Sequence, residues 1–320
     1  MDTQSNDKKR AVSKDDAQVI NRDMQAEDML RMHPGISEVV VVRDGLKGNR
    51  AFVVPNDAYL DEVLGRSSAE TTVLRNWRRI YDLTQFTKDT ASAPVGFNTL
   101  GWNSSYTRQA IPAEEMREWV QTTVTDILLL APKTLYEIGC GTGMLLMQIA
   151  PRCHQYVAVD FAPAVLARLR EQLRNVPTLV ERVQVMERTA DNFDGLDQNS
   201  FDSVVINSAA QYFPNVVYLT KVLENAVNIV KPGGHVFVGD VRSLPLLPAF
   251  ATSVELFQAG DEVSVGELRD RIQRRIQLEQ ELRLSPAYFL FLQRRSLKIS
   301  RVEIQPRCGP RRQRNVAIPV

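Results

Sequence analysis

The sequence predicts an α/β protein built on a mostly parallel, doubly wound sheet, with a small α+β appendage at its N-terminal side. Three observations predict it. Thr134-Leu135-Tyr136-Glu137-Ile138 reads as a buried strand that breaks into the glycine turn Gly139-Cys140-Gly141-Thr142-Gly143 and resumes as the apolar helix Met144 to Ala150. Short apolar runs then alternate with helical patterns as far as Arg242. An acid, Asp160, ends the second strand 23 residues after Glu137, close to the ~20 at which nucleotide folds place a ribose-binding acid.

The glycine turn is a cofactor cradle, since glycines let a ligand touch bare backbone. Its spacing chooses the cofactor. A dinucleotide fingerprint needs G-x-G-x-x-G, and the position of its last glycine, counted from Gly139, holds Met144. Glu137 stands two residues before the first glycine. A carboxylate there favours an ammonium and a sulfonium over a pyrophosphate, which points to S-adenosyl-L-methionine.

With 39 basic and 38 acidic residues and a net charge of +1, no global field points to nucleic acid or an anionic membrane. Cys140, Cys153 and Cys308 share no C-x-x-C spacing, which argues for a reducing compartment and against a metal site. No run approaches the ~20 apolar residues of a membrane span, and the polar start of the chain has no signal-peptide pattern. The expected compartment is the cytoplasm.

In chain order, residues 1–15 read as a disordered tail. Ala26 to Met32 suggests a helix ended by His33-Pro34, because a residue before proline leaves the α region. Glu38 to Arg43 and Arg50 to Pro55 read as a hairpin about the turn 44–49. Ser67 to Gln85 has helical periodicity, Thr87 to Pro94 reads as a linker, and Phe97 to Thr107 is polar, aromatic and unperiodic, as lids are. A helix is expected from Pro112 to Leu130. Beyond the cradle come a strand at Tyr156 to Asp160, a helix at Ala164 to Leu173 and a strand at Arg182 to Met186. Asp202 to Asn207 is a strand and Val217 to Val230 a helix stopped by Lys231-Pro232-Gly233-Gly234. His235 to Arg242 is the fifth strand, residues 262–282 are a solvated charged helix, and Ile299 to Gln305 is a sixth strand.

Two stretches carry a resemblance. Residues of the type His33-Pro34-Gly35-Ile36 followed by Glu38-Val39-Val40-Val41-Val42 resemble the small C-terminal subdomain of nonribosomal peptide synthetase adenylation domains, over about residues 16–65. Asp16 to Ile20 would be its degraded hinge strand, and its catalytic lysine is missing. Gly101-Trp102-Asn103-Ser104-Ser105-Tyr106-Thr107, Ile111-Pro112, Glu115 to Trp119, the Glu137 glycine turn and Phe237-Val238-Gly239-Asp240-Val241-Arg242 resemble the N-methyltransferase domain embedded in such synthetases, as far as about Gln305. That resemblance implies a Rossmann-like class I methyltransferase core over 132–320, with a helical lid and linker at 66–131. The end departs from the pattern: Arg307 to Arg314 is a basic turn, and only Asn315 to Val320 is left for a final strand, so a defective C-terminal strand is expected.

The candidate cofactor residues are Glu137, Gly139, Cys140, Gly141, Gly143, Asp160, Phe161, Asp191, Asn192 and Asn207. Asp160 is expected to grip the ribose hydroxyls, or else to cap the following helix. Asp191 is expected to accept from the adenine amine, and Phe193 to stack or pack. Tyr106, Asn207, Gln211, Tyr212 and Asp240 are the candidates for orienting the acceptor, since ligands of open α/β sheets bind at the carboxyl edge. Arg242 emerges beside them or pairs internally with Asp240. The expected reaction is methyl transfer from S-adenosylmethionine to the α-amine of an aminoacyl phosphopantetheine on a peptidyl carrier protein. The alternatives are a free-standing methyltransferase for a small-molecule amine and an inactive synthetase-derived fragment or interaction module. No metal, nucleic-acid or membrane partner is expected.

Overall fold

Five parallel strands run in the order β5-β4-β3-β6-β7: β3 Thr134–Ile138, β4 Gln155–Asp160, β5 Val183–Glu187, β6 Phe201–Asn207 and β7 Val230–Gly239. This is a computed structural model that describes residues 26–43, 49–56, 59 and 96–305. The chain starts at the centre of the sheet, works to one edge, then returns to build the other, so the strand order reverses beside β3. Loops leaving the carboxyl ends of β3 and β6 therefore part there, which opens a crevice for ligands. The doubly wound expectation holds, and the bounds of β3 to β6 shift by at most one residue, whereas β7 begins at Val230, so that Lys231-Pro232-Gly233-Gly234, expected as a helix stop, lies within the strand.

The central strands read as apolar runs because both of their faces are covered. Leu135, Tyr156, Ala158 and Val205 point into one layer, against α1 (Ala113–Leu129), α2 (Leu146–Ile149) and α3 (Pro163–Arg174). Tyr136, Ile138, Val157, Val159, Val204 and Ile206 point into the other, against α5 (Val216–Ile229); the short α4 (Pro177–Val180) precedes β5. Full burial of one such side chain is worth roughly 1.5–3 kcal/mol. The foot of β3 is pinned by Asp202, whose Oδ2 accepts from the backbone amides of Lys133 at 2.9 Å and Thr134 at 2.8 Å. Lys231 Nζ meets its Oδ1 at 2.8 Å. Burial would raise this carboxyl, yet the bonds from Lys231, Thr134 and Lys133 hold it down to about 2.

Several expectations are corrected. The helix after the cradle is short, beginning at Leu146 and tightening into a 3-10 turn at Ala150–Arg152, where Pro151 has no N–H to extend it. The fifth strand stops at Gly239 because Asp240 takes φ +61°; Arg242–Ser243 instead forms β8, parallel to β9 (Arg283–Leu284). Pro112 is the cap of α1 rather than its first residue. No strand forms over 299–305, which pairs with no neighbouring strand among the described residues. Helices α6 (Leu247–Gln258) and α8 (Pro286–Arg295) were not anticipated, whereas α7 (Val265–Leu278) is the expected solvated helix and has no buried residue.

The chain divides into two units, Met1–Ser68 and Ala69–Val320. In the first, a helical turn at 26–31 precedes the antiparallel pair β1 (Ile36–Arg43) and β2 (Asn49–Pro55), and Glu27 Oε2 accepts from Val41 N at 3.2 Å. The tail, the hinge at 16–20, the helix expected at 67–85, the linker at 87–94 and the strand expected at 315–320 lie outside the described residues.

Candidate active site

The cradle forms as the glycines require. Gly139, Gly141 and Gly143 have φ of +76°, +50° and +82°, a region glycine enters without penalty. At Gly139 and Gly143 space is also short: a Cβ would lie 2.6 Å from Ala209 Cβ and 2.6 Å from Leu169 Cδ1, respectively. The first glycine thus packs directly on the segment that follows β6.

Two carboxylates serve the turn. Asp160, buried at the end of β4, accepts from Gly141 N through Oδ2 at 3.0 Å and from Ala162 N through Oδ1 at 3.0 Å. It ties the turn to Ala162, the residue before α3, and the helix itself has no side-chain cap, so Asp160 fastens the loop and does not cap the helix. Glu137, 3% exposed, lies beneath the turn and accepts from the Tyr156 hydroxyl at 2.7 Å. Burial pushes its pKa up to about 7, the Tyr156 bond opposes this and Asp160 adds to it. Burial, then Asp160 and Glu137, also push the Cys140 thiol well up, which leaves it an inert wall of the turn. Tyr156 was missed in the sequence, although it shares with Glu137 the alternation that sends both side chains to one face.

Beyond β5 lie the residues expected to meet adenine, and each has contacts within the protein. Asp191 binds α5: the Tyr218 hydroxyl donates to Oδ1 at 2.9 Å and Lys221 Nζ meets Oδ2 at 3.0 Å. Burial would raise it, but the bonds from Lys221, Thr189 and Tyr218 hold it below the usual carboxylate range. Asn192 is exposed and caps Asp194 N, while Phe193 packs on Tyr136 at 5.9 Å between ring centroids. Phe161 is half-buried after β4.

At the carboxyl edge of β6 and β7 four of the five acceptor candidates come together. Asn207 Nδ2 donates to Ser208 Oγ at 3.1 Å, and Ser208 Oγ donates to Asp240 Oδ2 at 2.7 Å. Gly239 is obligatory, because a Cβ there would stand 2.1 Å from Asn207 Oδ1. Tyr212 is raised above its ordinary range by burial and then by Glu281 and Asp240, and takes a hydrogen bond from Gln211. The Gln211 amide oxygen is buried without a hydrogen-bond partner. Arg242 pairs with Glu281, Nε to Oε2 at 2.5 Å. Ser208 was missed, and only its place after the strand-ending Asn207 could have drawn notice.

Tyr106 meets α6. Its hydroxyl meets Ser253 Oγ at 2.8 Å, its ring packs edge-on to Phe250 and Phe257, and Gln258 Nε2 donates to the carbonyls of Ser105 and Tyr106 at 2.9 and 2.8 Å. Trp102 packs on Trp119 of α1 at 4.9 Å, so the loop bridges α1 and α6.

Comparison with known proteins places the chain in a family. Residues 136–236 match the family model described as a methyltransferase domain. The chain is 38% identical over 299 residues to chondramide synthase of Chondromyces crocatus, which covers 89% of this chain and 7% of that protein. It carries a methyltransferase domain related to nonribosomal peptide synthetases. Cyclosporin synthetase of Tolypocladium inflatum is 33% identical over 264 residues, 80% of this chain and 2% of that protein. The chain thus spans well under a tenth of the length of these curated relatives. Among solved structures, the N-methyltransferase NodS of Bradyrhizobium japonicum WM9 with S-adenosyl-l-homocysteine covers 61% of this chain and 84% of that one at 16% identity, with a TM-score of 0.39. That likeness is too loose to inform the site.

S-adenosyl-L-methionine is the cofactor of the methyltransferase domain, and the residues fit it. Two buried carboxylates converge on a turn of positive-φ glycines, a charge set that favours a cation and would repel a pyrophosphate. Among the described residues no cluster of metal-ligating side chains and no helix long and apolar enough to cross a membrane is found.

Proposed function

We propose that the domain methylates the α-amine of an aminoacyl thioester carried by the phosphopantetheine of a peptidyl carrier protein. The observation that supports an acceptor with a hydrogen to donate is the buried Gln211 amide oxygen, without a hydrogen-bond partner, in the 3-10 turn after β6. A buried acceptor without a donor costs about 1–3 kcal/mol, and an amine N–H is a group that would relieve it. The likeness to peptide synthetases over most of the chain supports a tethered aminoacyl substrate.

The bound cofactor supplies a methyl group already activated by its sulfonium. The chain's own residues then have to hold the amine lone pair on the line of displacement, where positioning is worth several kcal/mol. Gln211 and Asn207 orient the N–H groups, and Asp240 stands ready for the positive charge that nitrogen acquires as the new N–C bond forms. A free α-amine has a pKa near ~7.7–8.0, so a neutral fraction exists at neutral pH and the proton released passes to water. The test compares kcat/KM for the aminoacyl carrier protein with that for the free amino acid. A clear preference for the carrier is expected; equal or better use of the free amino acid would overturn the tethered reading.

A further inference from the structure

The edge that gathers the acceptor candidates also holds two backbone conformations that ordinary residues avoid. Ser208 has φ +54° and Asp240 φ +61°, each directly after a strand of the sheet. Neither is glycine. Such strain persists only where the surroundings over-determine it, and it concentrates at functional sites. Here the over-determination is visible: Ser208 N donates to Gly239 O at 3.2 Å, and its hydroxyl is fixed between Asn207 Nδ2 at 3.1 Å and Asp240 Oδ2 at 2.7 Å. The next residue, Ala209, rests against Gly139 of the cradle. The paired left-handed residues therefore aim a buried carboxylate from the edge strand towards the segment that packs on the cofactor turn.

We propose that Ser208 is a positioning residue that acts through Asp240, holding its carboxylate to receive the positive charge that moves from sulfur to the acceptor nitrogen. This rests on the N-methylation reading above. The bookkeeping of the step closes without a further reactant. The nitrogen lone pair forms the N–C bond as the S–C bond breaks and sulfur keeps that pair. The charge on nitrogen sits against Asp240 until its proton leaves to water. A preorganised carboxylate at the site of developing charge stabilises the transition state more than the neutral amine that precedes it.

Glycine separates the hydroxyl from the strain. Ser208→Gly removes the hydroxyl but relaxes φ, so folding is expected to survive, with an unfolding temperature close to that of the wild type. Its kcat should fall about 10–100-fold with KM for the carrier substrate little changed, because the interaction strengthens only in the transition state. In an Asp240→Asn background, which tolerates the same φ, Ser208→Gly should cost nothing more, since its partner charge is already gone. A second readout needs no turnover. With S-adenosylhomocysteine bound, an N-methylaminoacyl pantetheine cation should bind about tenfold more weakly to Ser208→Gly than to the wild type, and its neutral N-acetyl counterpart equally to both. Equal loss of kcat in both backgrounds, or no change in the binding of the cation, would overturn the proposal. A wild type that binds the cation selectively yet never methylates nitrogen would overturn the N-methylation reading while leaving the Ser208–Asp240 pair in place.

Discussion

At the scale of single residues, acids stand where their charge is hard to hold. Glu137 is pushed to about 7 by burial, with Tyr156 opposing and Asp160 adding. Its folded pKa lies above its unfolded one, so the stability it contributes is fully present below pH ~4.5 and is lost as pH rises through about 7. Glu137→Gln should therefore make the cofactor-free protein more resistant to thermal unfolding at pH 8 than the wild type, with the difference vanishing at pH 4.5; a scan at the two pH values checks it. The cofactor's ammonium reverses the balance by favouring the ionised acid. Calorimetric titrations in buffers of different ionisation enthalpy should show proton release on binding by the wild type near pH 6.5 and none from Glu137→Gln. Gly139→Ala tests the turn itself. With φ +76° and 2.6 Å to Ala209 Cβ, the added methyl should cost about 1–3 kcal/mol of stability and at least tenfold in cofactor affinity, read by thermal unfolding and titration.

At the scale of elements, the foot of β3 determines whether the cradle is presented at all. Asp202 takes the amides of Lys133 and Thr134 and the ammonium of Lys231. Asp202→Ala would strand the two amides, and a loss of about 1–3 kcal/mol is expected in urea unfolding at neutral pH. Because its folded pKa is depressed, its contribution is present above the unfolded value of 3.8 and fades as pH falls through about 2, so wild type and variant should converge there.

The elements of the central sheet were legible in the sequence because burial on both faces leaves an apolar run that no surface constraint interrupts. Tyr156 to Asp160 and Asp202 to Asn207 are examples. What was not legible depended on partners distant along the chain. Ile299 to Gln305 alternates as a strand should, yet alternation supplies no neighbour, and the stretch stays irregular. Asp240 reads as one more strand residue until its φ of +61° ends β7, and the Asp191 partners Tyr218 and Lys221 come from α5, some thirty residues on. Ser208 carried no signal, since serine gives no hint of a left-handed backbone. The positive φ of Gly139, Gly141 and Gly143, in contrast, was legible, because glycine spacing encodes backbone conformation locally.

At the scale of the molecule, the cradle on β3 and the carboxyl edge of β6 and β7 meet where Ala209 packs on Gly139. The sheet therefore sets the cofactor turn and the acceptor groups on adjacent strands rather than on mobile loops, which suits a reaction governed by alignment. The loop carrying Trp102 and Tyr106 is moored to α1 and α6 at its two ends, and its rings serve that mooring. The most direct measurement is incubation with S-adenosylmethionine bearing a trideuterated methyl group and an aminoacyl carrier protein, followed by tandem mass spectrometry of the released aminoacyl group. One deuterated methyl on the α-nitrogen is expected, abolished in Asp160→Ala. Transfer to oxygen or carbon, or cofactor binding with no transfer to any aminoacyl carrier, would contradict that expectation.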